Sequence, residues 1–399
     1  MAERTGGPRA PSPNSAFNFV LTLGVVNLFA DMTYEGGAAI NGPFLGGLGA
    51  GAAVVSIVAG FGEFLGYSLR AVAGYVADRT GKYWPITFVG YAVNLLAVPA
   101  MALVDHWQAA AILILAERTG RAIRKPTVGA MLSYSTGKLG RGWVYGLNTA
   151  LDETGATLGP LLMALVLFLK SDMRTGYALL LISSLLALVT LVVARVIFPV
   201  PSRLEEGGGR TARAGGFTRA YWLYMAAGAC FAAGLMSFEL ISFHLAKSGT
   251  ASEYWVPMFL AIATGFGVLV NIALGRLYDR KGLPVVLVAV VISAFFSPFV
   301  FLGGFFAALT GMMLWAVGYA TEDTLLSAIV AGELPEGKRS LAFGLFYTGY
   351  GAGWLLGSII TGLLYEASIP GLIAFAIAAQ LGSLPLFVLA GRSASRRGS

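Results

Sequence analysis

The sequence predicts an all-α membrane protein: twelve transmembrane helices in two pseudo-symmetric bundles of six. Three observations carry that expectation. Only 12% of the 399 residues are charged and 57% are hydrophobic, whereas a soluble domain carries about 25% charged residues. The apolar residues fall in continuous runs long enough to span a bilayer, roughly 20 residues each, without the alternation of a membrane barrel. The second half of the chain also repeats features of the first at matching places, as a duplicated membrane protein does.

Residues 1–15 are polar and rich in Pro and Gly, with Arg4 and Arg9, and read as a cytoplasmic tail. They lack the charged, apolar, then cleavable order of a signal peptide. Spans are expected at about 16–40, 51–77, 85–104, 109–133, 142–169 and 176–198, forming a first bundle over 16–198. A Gly/Arg-rich linker, 199–219, follows and contains Glu205-Glu206-Gly207-Gly208-Gly209-Arg210. Six more spans at about 220–246, 255–277, 284–302, 305–331, 340–365 and 371–390 form a second bundle over 220–390. A basic tail, 391–399, carries Arg392, Arg396 and Arg397.

The connections fix an expected orientation. Loops on the side of the amino terminus hold Arg79, Lys82, Lys138, Arg141, Arg203, Arg210, Arg213, Arg280, Lys281, Lys338 and Arg339. Those on the other side hold only Lys170, Arg174 and Lys247. Positive residues stay inside, so both termini are expected in the cytoplasm and the protein in the inner or plasma membrane. The same bias explains the net charge of +7 without a nucleic-acid partner. The single cysteine, Cys230, excludes an intramolecular disulfide. His106 and His244 are not at ligand spacing, so no histidine-rich metal site is expected. No phosphate-binding G-x-x-x-x-G-K-[ST] loop is present, which turns the energy source from hydrolysis to a proton or other ion gradient. Nothing calls for a cofactor or for enzymatic chemistry.

Within the spans, Met32-Thr33-Tyr34-Glu35 returns as Met236-Ser237-Phe238-Glu239. Each copy sets a glutamate deep in an apolar run, at a cost of about 2.5–3.5 kcal/mol on insertion scales. Two further repeats agree with a six-plus-six duplication. Gly74-Tyr75-Val76-Ala77-Asp78-Arg79-Thr80-Gly81-Lys82 after span 2 is echoed by Gly275-Arg276-Leu277-Tyr278-Asp279-Arg280-Lys281-Gly282 after span 8. Gly146, Gly155 and Gly159 in span 5 are echoed at the same spacings by Gly344, Gly353 and Gly357 in span 11.

The G-x-x-x-D-R-x-G loop, in two copies of which the first continues with Lys82, closely resembles the G-x-x-x-D-R-x-G-[KR] signature loop of the major facilitator superfamily, and the resemblance covers essentially the whole chain. It implies a secondary transporter working by alternating access. It also implies that the loop, with Gly74, Asp78, Arg79 and Gly81 and their counterparts Gly275, Asp279, Arg280 and Gly282, latches the cytoplasmic side when the pathway faces outward. Gly155-Ala156-Thr157-Leu158-Gly159-Pro160 resembles part of the motif typical of exporters that work as antiporters, although Leu151, Met163 and Ala164 stand where further glycines belong. The Gly155/Gly159 and Gly353/Gly357 pairs have small-xxx-small spacing and are expected to form a hinge or a close sliding contact between halves.

Intramembrane charge is unevenly spread. Span 1 has Asp31 and Glu35, and span 2 Glu63 and Arg70. Span 4 has Glu117, Arg118, Arg121, Arg124 and Lys125, and span 5 Asp152 and Glu153. Span 7 has Glu239 and span 10 Glu322 and Asp323, while spans 3, 6, 9 and 12 have none in their interiors. In the fold that the chain resembles, spans 1, 4, 7 and 10 line the central pathway. Unpaired, these acids would cost more than about 20 kcal/mol, so they are expected to be paired, hydrated or protonated.

Asp31, Tyr34, Glu35, Glu117, Arg118, Arg121 and Glu239 are the expected cavity residues, and Asp31, Glu35 and Glu239 are expected to include the proton-coupling site. Arg124 and Lys125 facing Glu322 and Asp323 are the expected cytoplasmic gate. Tyr34, Phe238, Trp315, Tyr319, Tyr347 and Trp354 are candidates to hold a cation on ring faces. The favoured cargo is a small amphipathic or cationic compound, moved outward against protons. An anionic metabolite on Arg118, Arg121 and Arg124, or a divalent metal on Asp31, Glu35 and Glu239, are the alternatives. A non-transporting receptor would need an appended sensory domain, for which the tails and linker leave no room.

Overall fold

The computed structural model describes residues 13–135, 139–200, 217–326 and 339–398. The described backbone is helical and contains no strand. The amino-terminal half comprises α1 (Pro13–Gly47), α2 (Ala52–Thr80), α3 (Tyr83–Ala100), α4 (Trp107–Ser133), α5 (Arg141–Lys170) and α6 (Met173–Ile197). The second half comprises α7a (Arg219–Leu235), α7b (Phe238–Lys247), α8 (Trp255–Lys281), α9a (Leu283–Ala294), α9b (Phe296–Leu302), α10 (Phe305–Ala320), α11 (Arg339–Ala367) and α12 (Ile369–Gly398). Twelve crossings bring the start of α1 and the end of α12 to one side, the chain-end side; the opposite is the far side. Residues 1–12 of the expected tail, 201–216 of the expected linker, and the loop residues Lys138 and Lys338 lie outside the described residues.

Among the described residues, nine helices are long and apolar enough to cross a membrane. α4 is too charged to be one of them, and its charges point into the protein: Glu117, Arg118, Arg121 and Arg124 are all buried. The two signature loops close their helices alike. Gly81 (φ 65°) and Gly282 (φ 64°) both take positive φ, and their N–H groups bond back to Ala77 and Tyr278 at 2.8 Å, a conformation glycine adopts without strain.

Three crossings differ from expectation. Span 7 is not one helix: it breaks between Leu235 and Phe238, inside the second copy of the repeated motif. Met236 has φ 58° and ψ 144°, a conformation that costs a non-glycine residue about 1–3 kcal/mol. The freed Met236 carbonyl accepts the Trp315 indole N–H at 3.1 Å. Span 9 is in two pieces, and α10 passes at Thr321 into a π-helical turn, Thr321–Leu326.

The glycine pairs also correct an expectation. Gly155 and Gly159 press α5 on the backbone of α1 at Leu28 and Met32, and Gly353 and Gly357 press α11 on α7a at Ala229 and Ala233. No Cβ fits at any of the four, so they are close contacts within each half, not between halves. Contact between halves is made by other residues. Gly42 of α1 lies against the Glu239 carbonyl of α7b, and Gly362 of α11 lies over Ala53 of α2. Ser56 donates to the Ser358 carbonyl at 2.7 Å. Gly51 offers no side chain to cap α2, and Glu366 of α11 accepts the Ala53 N–H at 3.2 Å instead.

The apolar core follows the same division. One buried cluster runs through both halves on the far side, from Ile40, Phe44 and Val55 through Tyr177 to Phe243 and Trp354, and continues in the second half to Tyr221 and Phe387 on the chain-end side. On the chain-end side the amino-terminal half keeps a separate core of Phe19, Leu23, Tyr91, Leu132 and Leu191. The halves are therefore packed together on the far side, while toward the chain ends α2 and α11 stay in contact as far as Ala71 and Gly344 and the other helices part around a cavity.

Candidate substrate cavity

Where the halves part they enclose a cavity of about 570 Å³, within the range of small-molecule sites, roughly 300–1,000 Å³. Its lining comes from α1, α2, α4, α5, α7b, α8, α10 with its π turn, and α11, and none from α3, α6, α9 or α12. The floor is Glu239, directly above the far-side contact of α1 with α7b; Lys125, Asp152 and Asn271 line it toward the chain-end side.

The two walls differ in chemistry. The amino-terminal half presents Asp31, Glu35, Glu63, Arg70, Arg118, Arg121, Lys125, Asp152 and Glu153. The other half presents an aromatic face with Glu239 and Glu322 set into it. Ring centroids follow one another along that face: Phe238 to Trp315 at 6.1 Å, Trp315 to Tyr319 at 4.1 Å, and Tyr319 to Trp354 at 5.6 Å. Tyr347 stacks on Tyr67 at 5.5 Å.

Arg118 is the centre of the charged wall. Its Nη1 meets Glu63 at 2.7 Å, its Nε meets Glu117 at 3.4 Å, and its Nη2 crosses to Glu239 of the other half at 2.8 Å. Glu239 stands in the first turn of α7b, so the break in span 7 adds a helix amino terminus to the groups that stabilise its charge. Arg121 reaches Glu63 at 3.4 Å and Glu117 at 3.6 Å, with its guanidinium 4.7 Å from the Tyr34 ring. The acidic face of α1 thus meets the basic face of α4 mainly through Arg124, whose Nη2 is 3.3 Å from Asp31. Glu35 also lines the cavity, but among the described residues it makes no hydrogen bond and no ion pair.

The expected gate is not formed by Arg124. That residue is 2% exposed and is used up inside its own half by Asp31, Asn94, Asn27 and Tyr91. Glu322 instead accepts the Tyr67 hydroxyl of α2 across the halves. Lys125 is exposed and lines the cavity with Glu322; the side chain of Asp323 lies outside the described residues. In the signature loop, Asp78 accepts the Tyr83 hydroxyl at 2.9 Å and Arg79 donates to the Tyr75 hydroxyl at 2.8 Å, so both hold local partners. Among the described residues no three His, Cys, Asp or Glu side chains converge as a metal site.

Sequence reasoning passed over Asn27, Asn94 and Asn148, which carry hydrogen bonds between α1, α3, α4 and α5. The available signal was an uncharged amide in an apolar run, the more telling in α3, where charge is absent.

Comparison with known proteins accords with this architecture. Residues 20–358 match the family model described as Major Facilitator Superfamily. An uncharacterised protein of Mycobacterium tuberculosis is 33% identical, over 93% of this chain and 92% of its own length. An uncharacterised MFS-type transporter of Methanocaldococcus jannaschii is 27% identical, over 88% and 89%. The crystal structure of the nucleoside transporter NupG superposes with a TM-score of 0.72 at 14% identity, covering 94% of this chain and 99% of that one. The chain belongs to the Major Facilitator Superfamily and is a secondary transporter of small molecules, not an enzyme.

Proposed function

We propose that the protein exports small amphipathic cations in exchange for protons, and that the cavity described above is its cytoplasm-facing state. The observation that carries this reading is the charge balance of the cavity. Seven carboxylates line it against four basic side chains, and buried carboxylates without counter-charge are strongly disfavoured. Asp31 and Glu239 are each held by an arginine, whereas Glu35 makes no hydrogen bond and no ion pair among the described residues. Glu35 therefore carries a proton in this state. An entering cation takes the place of that proton, and on the opposite side of the membrane a new proton releases the cation. The aromatic face across the cavity suits the apolar body of the same ligand, and ring faces add cation–π attraction.

Orientation rests on the bias of loop charge, and export on the antiporter-like stretch around Gly155 and Gly159. The moving bodies are residues 16–198 and 220–390, joined by the linker 199–219, with cytoplasmic tails 1–15 and 391–399. The signature loops around Asp78 and Asp279 latch the cytoplasmic face in the other state, and Lys125 with Glu322 remain as gate partners once Arg124 is set aside. An anionic cargo fits less well, because Arg118, Arg121 and Arg124 already hold carboxylates or amides. A divalent metal would likewise need Asp31 and Glu239 to leave their arginines.

The test uses purified protein in liposomes, with ethidium as a flat aromatic cation and an imposed pH gradient. Wild-type protein is expected to drive ethidium against the gradient, and Glu35→Gln to lose that drive while folding normally. If Asp31→Asn, Glu35→Gln and Glu239→Gln all keep full pH-driven movement, the assignment is wrong.

A further inference from the structure

We propose that Asp152 is a second proton-exchanging carboxylate of the transport cycle, tied to the Asp31–Arg124 pair by a relay of two amides, Asn148 and Asn27. The proposal rests on the proton-coupled reading above and adds a site to it. Its origin is the guanidinium of Arg124, which has donors only. Nη2 goes to Asp31, Nη1 to Asn27 Oδ1 at 3.2 Å, and Nε to Asn94 Oδ1 at 3.1 Å. The Tyr91 hydroxyl also donates to Asn27 Oδ1. With their carbonyl oxygens facing the arginine, both asparagines must turn their NH₂ groups away from it. Asn27 Nδ2 donates to Asn148 Oδ1 at 2.8 Å, and Asn148 Nδ2 donates to Asp152 Oδ2 at 3.1 Å. On the other branch, Asn94 Nδ2 donates to Glu117 at 2.9 Å.

One cation thus presents donors to three acids. Asp31 has it directly, and Glu117 has Arg118 and Arg121 besides. Asp152 has least: its Oδ1 is buried with no hydrogen-bond partner among the described residues. The charged groups around it are Asp31 on α1, Arg124 and Lys125 on α4, and Glu153 on its own helix. α3 adds Tyr91. α8 contributes no charged group to the lining, and α6 carries charge only at its ends, in Arg174 and Arg195. Arg124 is matched by Asp31, and the buried Oδ1 of Asp152, without a hydrogen-bond partner among the described residues, is where the extra proton sits.

Asp152 lines the chain-end side of the cavity, where water can take that proton. Once ionised, Asp152 polarises Asn148 and Asn27 in turn, and each carbonyl in the row becomes a stronger acceptor. Asn27 then competes better for Arg124, and the hold of Arg124 on Asp31 loosens. Asn148 and Asn27 are positioning residues in this scheme.

Infrared difference spectroscopy of the full-length protein in lipid, titrated without any ligand, tests this. Wild-type protein should show two protonated-carboxyl C=O bands that disappear as pH rises. Glu35→Gln should remove one and Asp152→Asn the other, while Glu153→Gln removes neither. Asn148→Leu should keep both bands but shift the Asp152 band and its midpoint, a change that packing alone would not produce. If Asp152→Asn does not fold, Asp152→Glu keeps the acid and should move the same band. Unchanged bands in Asp152→Asn or Asp152→Glu overturn the proposal, and an unshifted band in Asn148→Leu overturns the relay. Loss of the Asp152 band with no band assignable to Glu35 would instead overturn the earlier choice of Glu35 and leave Asp152 standing.

Discussion

At the scale of single residues, charge pairing decides both stability and pH response. Arg118 serves Glu63, Glu117 and Glu239 at once; Arg121 also reaches the first two, so Arg118→Met strands the buried Glu239 and weakens the hold on Glu63 and Glu117. The expected loss is about 3–5 kcal/mol in neutral buffer, and it should shrink in acid, because protonated acids need no counter-ion. Thermal unfolding in detergent at several pH values reads both. Outside the membrane, Asp172 caps α6: it accepts the Thr175 hydroxyl at 2.5 Å and the Thr175 and Arg174 amides at 2.9 and 3.1 Å. These bonds, the Thr175 hydroxyl foremost, hold its carboxyl below the usual carboxylate range. A lowered folded pKa gives stability that is present above the unfolded value and lost as pH falls through the folded one. Asp172→Ala should therefore cost about 1 kcal/mol at neutral pH, with the gap to wild type closing in strong acid. Such local pairs are partly legible in sequence, since Asp172-x-x-Thr175 marks a helix start. The partner of Arg124 is not: Asp31 lies 93 positions away and Glu322 is as plausible in one dimension.

At the scale of helices, the repeats and apolar runs were readable because they are patterns along the chain. The break in span 7 was not, because Met236-Ser237 contains neither glycine nor proline and the group that satisfies the freed Met236 carbonyl, the Trp315 indole of α10, is distant in sequence. Its positive φ leads to an unusual order of substitutions. In an ordinary helix, glycine is worse than alanine by about 1 kcal/mol. At position 236, Met236→Gly should be more stable than Met236→Ala, by about 1 kcal/mol, because only glycine takes that conformation without strain. Equal stabilities, or the helical order, would mean that α7 runs straight through in the membrane. The glycine pairs show the same limit. Their spacing gave close helix approach, but the choice of neighbour, α1 and α7a within each half, depends on the three-dimensional packing.

At the scale of the whole molecule, a far side packed across both halves and a cavity toward the chain ends, with α2 and α11 still touching at Ala71 and Gly344, describe one of two alternating states. Closure between Ala53 and Gly362 should be reversible during turnover. A disulfide across the same contact, from Ser56→Cys with Thr361→Cys in a Cys230→Ser background, should form at rest, since the two hydroxyl oxygens already lie 3.5 Å apart. It should abolish ethidium movement until reduced; undiminished movement with the bond intact would show that the far side need not open. The most direct measurement of the coupling itself is the pH inside liposomes, read by a trapped fluorescent indicator while ethidium crosses under no imposed gradient. The expected result is a pH change in step with ethidium in wild-type protein, opposite in direction to the cation and absent in Glu35→Gln. Ethidium crossing at the wild-type rate with no movement of protons would contradict proton exchange at this cavity.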